Sequence, residues 1–184
     1  MDNITYFKLN GEPSLDLDSC DYVGIKLCGK HAKEKCANAF ISKHHLPIVL
    51  EFKWYLGKDG YPVTYQSIDG KIKLGRGMKM HKMISPKISE GMVIDHVNRN
   101  KLDNRIENLR ICTQKQNSYN TTKPKNSSSK YKGVKKEKNG SWTASISKDG
   151  KTNCIKGIDN EIDAAKIYDM MAEDLFGNYA GKNF

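Results

Sequence analysis

One stretch constrains this chain more than any other: IDHVNRNKLDNRIENLRICTQKQN, Ile94 to Asn117. It begins inside an apolar run, MVIDHV, that is interrupted only by Asp95 and His96 near its end, a composition that predicts a strand. RNKLDNRIEN then reads as a polar loop and LRICT as a second short strand. Thr113 is placed to cap a helix beginning QKQNSYN. Strand, loop, strand and helix therefore follow one another within about thirty residues, each near its minimum useful length.

The residue types in this stretch suit one chemistry. Hydrolysis of a phosphodiester needs an activated water, charge stabilisation on the phosphoryl oxygens and help for the leaving 3′ oxygen. A hard divalent cation takes carboxylate and amide oxygens and keeps its other positions for water and phosphate. Asp95 and the side-chain oxygen of Asn117 suit such an ion. His96 titrates near neutrality and is a candidate to take a proton from water. Its other ring nitrogen needs an acceptor to fix its orientation, and the amide oxygen of Asn108 is the candidate. Taken singly, each of these residues is also explained by an ordinary turn, and Asn98, Asn100 and Asn104 are expected only to shape the loop.

The spacing goes further. Asp-His, an Asn twelve residues after His96, Leu-Arg, Thr-Gln and a final Asn closely resemble the HNH (ββα-metal) endonucleases. The best match is the phage-type homing endonuclease branch, in which Asn replaces the last His. The resemblance implies that Asp95 and Asn117 bind the metal, Mg²⁺ or another divalent cation such as Mn²⁺. It also makes His96 the general base and Asn108 the residue that holds it. His81, in MKMHKMI, matches a His often found upstream in these proteins, and a structural or DNA-backbone role is expected of it. Arg110, in the Leu-Arg step, is a second accessory candidate.

The C-terminal third makes a separate case. KYKGVKKEK, Asn139-Gly140, SWTASISK, Asp149-Gly150 and KTNCIK predict three strands joined by two tight hairpins. Trp142, Ala144 and Ile146 fall on one face of the middle strand, with Thr143, Ser145 and Ser147 on the other. A helix over NEIDAAKIYDMMAEDLF, capped by Asp159, lays Ile162, Ala165, Tyr168 or Asp169, Ala172 and Phe176 against the sheet. YKGV, W-x-A-x-I, Gly157, Ala164-Ala165, Tyr168-Asp169, Phe176-Gly177 and the final Asn-Phe resemble the APETALA-type (ethylene-response-factor) DNA-binding domain. Lys132 and Lys135 depart from that family, which usually has Arg there, and Ile155 replaces a Trp. The loss of the bidentate Arg fork weakens any transfer of base preference.

Charge points to the same partner. The formal net charge is +10, and between Lys115 and Lys156 eleven lysines stand against Glu137 and Asp149 alone. Such a segment favours a polyanion, and double-stranded DNA is the expected partner. Lys123, Lys125, Lys130, Lys132, Lys135, Lys136, Lys138 and Lys148, with Ser145 and Ser147, are the candidate contacts. TTKPKNSSSK, residues 121–130, lacks apolar side chains and reads as a basic linker.

The remaining features bound the reading. Phe52, Trp54 and Leu56 alternate with polar neighbours, Asp59-Gly60 and Asp69-Gly70 signal hairpins, and KHAKEKCANAFISKHH is expected to be a short helix. The five cysteines form no C-x-x-C pair and no familiar zinc spacing. No apolar run approaches the roughly 20 residues of a membrane span, and no signal peptide is evident. A cytoplasmic protein is expected, in the host cell if phage-encoded, with no organic cofactor and a monomeric state. The expected fold is α+β: a β-rich platform over 1–80, a ββα-metal module over 81–120, the linker, and a three-stranded antiparallel sheet packed on one helix over 131–184. A DNA-binding regulator with an inactive HNH module and a restriction-type nuclease are the competing functions.

Overall fold

The computed structural model describes residues 4–8, 10–14, 18–33, 37–123 and 127–184. The chain divides into two compact units, Met1–Cys112 and Thr113–Phe184. Both mix strands with few helices, so the α+β expectation holds. Among the described residues no helix is long and apolar enough to cross a membrane.

The first unit begins with β1 (Ile4–Phe7), β2 (Pro13–Ser14), β3 (Tyr22–Lys26), the short α1 (Lys30–Lys33) and β4 (Asn38–Ser42). Val23 and Ile25 pair with Ile41 and Ala39 across the antiparallel β3–β4 ladder and point into one core. The opposite face carries Phe7, Tyr22 and Phe40 as a ring cluster around Gly24. Of the helix expected over KHAKEKCANAFISKHH, the described residues hold the four of α1 and the 3₁₀ turn Lys43–His45, while NAFIS is a strand instead and residues 34–36 lie outside the described residues. Alternation decides this: Ala39 and Ile41 are fully buried, whereas Asn38 and Phe40 are half-buried.

A short α2 (Leu46–Leu50) leads to β5 (Tyr55–Leu56), β6 (Pro62–Gln66) and β7 (Lys73–Lys79), a three-stranded antiparallel sheet whose turns contain Asp59-Gly60 and Asp69-Gly70 as expected. Phe52, Trp54 and Leu56 enter the core, and Trp54 donates its indole N–H to Val49 O at 2.8 Å. The chain then forms α3 (Met80–Ile84), β8 (Met92–His96), β9 (Asp103–Asn104) and β10 (Leu109–Thr113). β8 and β10 make a two-stranded sheet. β9 leaves the polar loop and pairs in parallel with β4, so the first sheet runs β2-β1-β3-β4-β9.

The second unit holds α4 (Gln114–Tyr119), β11 (Val134–Lys136), β12 (Trp142–Lys148), β13 (Lys151–Ile158) and α5 (Glu161–Phe176). β11, β12 and β13 form an antiparallel sheet. Asp149 and Gly150 both take positive φ, 52° and 78°, the backbone of the two-residue turn that matches strand twist. Ala144 and Ile146 pack on α5 through Ala164, Ala165, Tyr168 and Ala172. Ile162 is 49% exposed and stands outside this core, and the cap is Asn160, not Asp159. The Asn160 side chain accepts from Asp163 N at 2.8 Å and caps the helix that begins at Glu161. A methyl at Gly133 would overlap the Tyr168 ring, so glycine permits that approach.

The C-terminal Asn-Phe closes back onto α5. The Asp169 carboxylate accepts from the backbone N–H groups of Asn183 and Phe184, at 2.7 and 2.9 Å. In the stretch expected as a linker, Ser129 is buried and donates to Glu161 at 2.7 Å.

Candidate active site

β8 delivers Asp95 and His96 consecutively, which turns their side chains in opposite directions. Both are nonetheless buried, at 7% and 4% exposure. Asp95 meets Arg110 of β10: its Oδ2 accepts from Nε at 2.9 Å and from Nη2 at 2.6 Å. A guanidinium fixed on one carboxylate oxygen offsets the burial of that charge. Cys112 lies nearby, fully buried, and burial followed by the Asp95 charge pushes its thiol up.

The loop after His96 is organised by its own polar side chains. Arg99 takes φ 63° and donates its backbone N–H to His96 O. Asn108 accepts from Asn98 N at 2.9 Å through Oδ1 and donates to Asp103 O at 2.7 Å through Nδ2. Asp103 receives Arg105 on both oxygens at 2.7 Å and Asn98 Nδ2 at 2.8 Å. Burial alone would raise the Asp103 carboxyl; Arg105 and Asn98 outweigh it and hold the group below the usual carboxylate range.

Asn104 is the side chain that meets the histidine ring. Its exposure is 0%. Its Nδ2 donates to Leu102 O at 3.1 Å and Lys101 O at 3.4 Å, which turns Oδ1 toward His96. His96 Nε2 donates to that oxygen at 3.3 Å. Because a carbonyl oxygen only accepts, Nε2 carries the proton and Nδ1 carries the lone pair. Burial keeps the imidazole below its ordinary pKa, opposed by the Asn104 hydrogen bond and the charges of Asp95 and Asp103. The sequence pattern gives the ring's acceptor to Asn108 and leaves Asn104 to shape the loop; the bond to Nε2 comes from Asn104. Spacing carries no signal that separates the two, since Asn104 is set by the pairing of β9 with β4.

A second wall comes from the β5–β6 turn and α3. His81 is 4% exposed, and its Nδ1 is buried with no hydrogen-bond partner among the described residues. Its ring stands 5.1 Å from that of His96, edge to face, and 5.0 Å from Tyr61. Tyr61 is 5.7 Å from His96 and closes the triangle. Burial, then the neighbouring His96, pushes His81 down to about 3, so this ring is neutral at working pH.

The structure therefore brings Asp95, His96, Asn108, Arg110 and His81 into one neighbourhood of the first unit. Asn117 stands half-buried on α4 in the second. Thr113 caps α4 as expected: its hydroxyl accepts from Gln116 N at 3.2 Å while Gln116 Oε1 accepts from Thr113 N at 2.9 Å. Asp95 and Asn117 present hard oxygen donors, and no group of three or more His, Cys, Asp or Glu converges among the described residues. Carboxylate and amide oxygens are the donor types a hard divalent cation takes, with its other positions left for water and phosphate.

The candidate DNA contacts fall into two groups. Lys130, Lys135, Lys136, Lys138 and Ser147 are exposed, and Ser145 is half-buried. Lys135, Lys136 and Lys138, with Lys156, line an open groove of about 540 Å³; Lys156 was absent from the expected set. The others are turned to the protein: Lys123 Nζ donates to Ser129 O, Lys132 Nζ to Tyr119 O and Lys148 Nζ to Leu175 O, at 2.9, 2.7 and 2.6 Å. Lys125 lies outside the described residues.

The strand end thus carries a buried Asp-His pair braced by Arg and Asn, with a candidate general base beside a carboxylate. Comparison with known proteins gives the family. A family model described as HNH endonuclease matches residues 82–119. The chain is 45% identical over 150 residues to an uncharacterized HNH endonuclease of Acanthamoeba polyphaga mimivirus, covering 79% of this chain and 74% of that protein. It is 33% identical over 94 residues to Protein 3.8 of Escherichia phage T7, covering 50% of this chain and 77% of that one. No solved structure matches the chain. The chain belongs to the HNH endonucleases, hydrolases whose substrate is DNA.

Proposed function

We propose that this protein is a divalent-metal-dependent, site-specific DNA endonuclease of the homing type, leaving 5′-phosphate and 3′-hydroxyl ends. The observation that carries the reading is His96: buried at the end of β8, donating through Nε2 to Asn104, with its lone pair on Nδ1. In this role His96 takes a proton from the attacking water. Asn104 holds the ring in one tautomer, and Asn108 ties the loop that carries Asn98 and Asp103. Arg110 orients Asp95 by two hydrogen bonds to one of its oxygens. Asp95 and Asn117 would hold Mg²⁺ or Mn²⁺, which when bound supplies charge stabilisation to the phosphoryl and leaving 3′ oxygens.

The second unit is an APETALA-type DNA-binding domain in this reading, with the exposed lysines of β11 and its hairpin on phosphate. A monomer then carries one active site and nicks one strand at a time. The test uses supercoiled and linear duplex DNA with Mg²⁺, Mn²⁺ or EDTA, followed by ligation of the products. Cleavage that requires the metal and yields directly ligatable nicks is expected. Equal cleavage in EDTA overturns the metal assignment. Binding without cleavage in any metal assigns the protein to DNA-binding regulators instead.

A further inference from the structure

Side chains from the β5–β6 turn, the end of β7 and the His96 loop meet over a single ring. Lys79 Nζ lies 4.0 Å from the centroid of Tyr61, and Lys101 Nζ lies 4.6 Å from it. One carboxylate serves both cations incompletely. Asp59 Oδ2 accepts from Lys79 at 2.6 Å, while Lys101 donates to the backbone oxygen of Asp59 at 2.9 Å. Two ammonium groups against one carboxylate leave this cluster with a net positive charge beside two buried histidines.

Holding two like charges on one ring is unfavourable. The negative face of Tyr61 offsets part of this repulsion, and an exposed Lys–Asp pair contributes little to stability. A bound anion would complete the set. The Tyr61 ring sits 5.7 Å from that of His96, and nucleotides along one strand rise by about 3.4 Å, so a phosphate next to the scissile one is within reach.

We propose that Lys79 and Lys101, seated on Tyr61, form a phosphate-binding subsite for the DNA strand being cut, one nucleotide or so from the His96 centre. The placement relative to the cut rests on the reading of His96 as the base. Asp59 holds Lys79 in place in the free protein and competes with the phosphate for it. The N-terminal half thereby contributes directly to substrate binding, separately from the lysines of the second unit.

The test is the salt dependence of binding to a short duplex in EDTA, using the full chain. Lys79→Gln/Lys101→Gln keeps most of each side-chain stem and removes both charges. Its log K against log[salt] slope should be shallower by about 0.9 for each phosphate that the variant no longer neutralises, with weaker binding at low salt. Asp59→Asn removes the competitor and should bind several-fold tighter than wild type. An unchanged slope in the double variant, or weaker binding by Asp59→Asn, would show that the lysines only brace the hairpin and overturn the proposal. Thermal unfolding of each variant establishes that folded protein is compared; if the double variant does not fold, the Asp59→Asn result decides alone. Cleavage with Mg²⁺ is measured in parallel. A slope change without cleavage by wild type keeps the subsite and rejects the nuclease reading, whereas cleavage with an unchanged slope rejects the subsite alone.

Discussion

In the first unit Asp95, His96, Asp103, Asn104 and Asn108 are all buried, whereas in the second unit β13 exposes every residue from Lys151 to Gly157. The buried groups have fixed partners, and most of those bonds are shorter than 3 Å. The exposed lysines of β11 and its hairpin line an open groove. A group that must hold one tautomer needs burial and a rigid acceptor, because water would otherwise offer it many orientations. A group that meets phosphate gains from staying hydrated and mobile until the counterions leave. In the proposed nuclease the two surfaces serve different parts of one task.

The largest effect that would break this comparison is expected at His96. His96→Ala should slow cleavage by about 10²- to 10⁴-fold while leaving metal-free DNA binding unchanged, read by plasmid nicking and by fluorescence anisotropy. Similar cleavage by variant and wild type would remove His96 from the chemistry.

Next comes the choice between the two asparagines. Asn104→Ala removes the acceptor of His96 Nε2 and should lower kcat by about 10- to 100-fold. Asn108→Ala instead strips the loop of its bonds to Asn98 and Asp103 and should cost about 1–3 kcal/mol of stability, measured by urea unfolding. Full activity in Asn104→Ala, with activity lost and stability kept in Asn108→Ala, would return the orienting role to Asn108.

The exposed side of the comparison is sharpened by replacing Lys135, Lys136 and Lys138 with Ala. Binding should weaken and its salt slope flatten by about 0.9 for each phosphate left without its lysine, with little change in kcat at saturating DNA. A slope equal to that of wild type would place the DNA-binding surface elsewhere.

The smallest effect concerns acid stability. Asp103 has its folded-state pKa depressed by Arg105 and Asn98 against the opposing effect of burial. Its contribution is therefore complete above the ordinary carboxylate pKa, near 3.9, and is lost as pH falls through the depressed value. The Tm difference between wild type and Asp103→Asn should narrow as pH is lowered from about 6 toward about 3. A gap that stays constant or widens would show that Asp103 stabilises the loop by other means.

Much of the site was legible because its chemistry is local. Thr113 and Gln116 close a capping box three residues apart, and Asp149-Gly150 turns a hairpin through its own backbone preference. Asp95 and His96 stand out as the only polar residues in an apolar run. The segments that differ from expectation depend on distant partners. NAFIS follows a short helix in sequence, but hydrogen bonds to β3 and β9 on its two sides make it a strand. Lys132 and Lys148 read as surface cations, but backbone oxygens of Tyr119 and Leu175 draw them inward. Ile162 has the right residue type for the core, yet Ala164, Ala165, Tyr168 and Ala172 take the face against the sheet and leave it 49% exposed.

By itself the amino-acid sequence determined the strand–loop–strand–helix order, the hairpins and the Asp-His pair, since turn geometry, capping and alternation act within a few residues. Only the tertiary structure decided which asparagine holds His96, because the parallel pairing of Ile41 with Asn104 joins positions more than sixty residues apart. It alone also put Tyr61, Lys79 and Lys101 beside that histidine, where ring packing and shared charge act between side chains that no spacing rule connects.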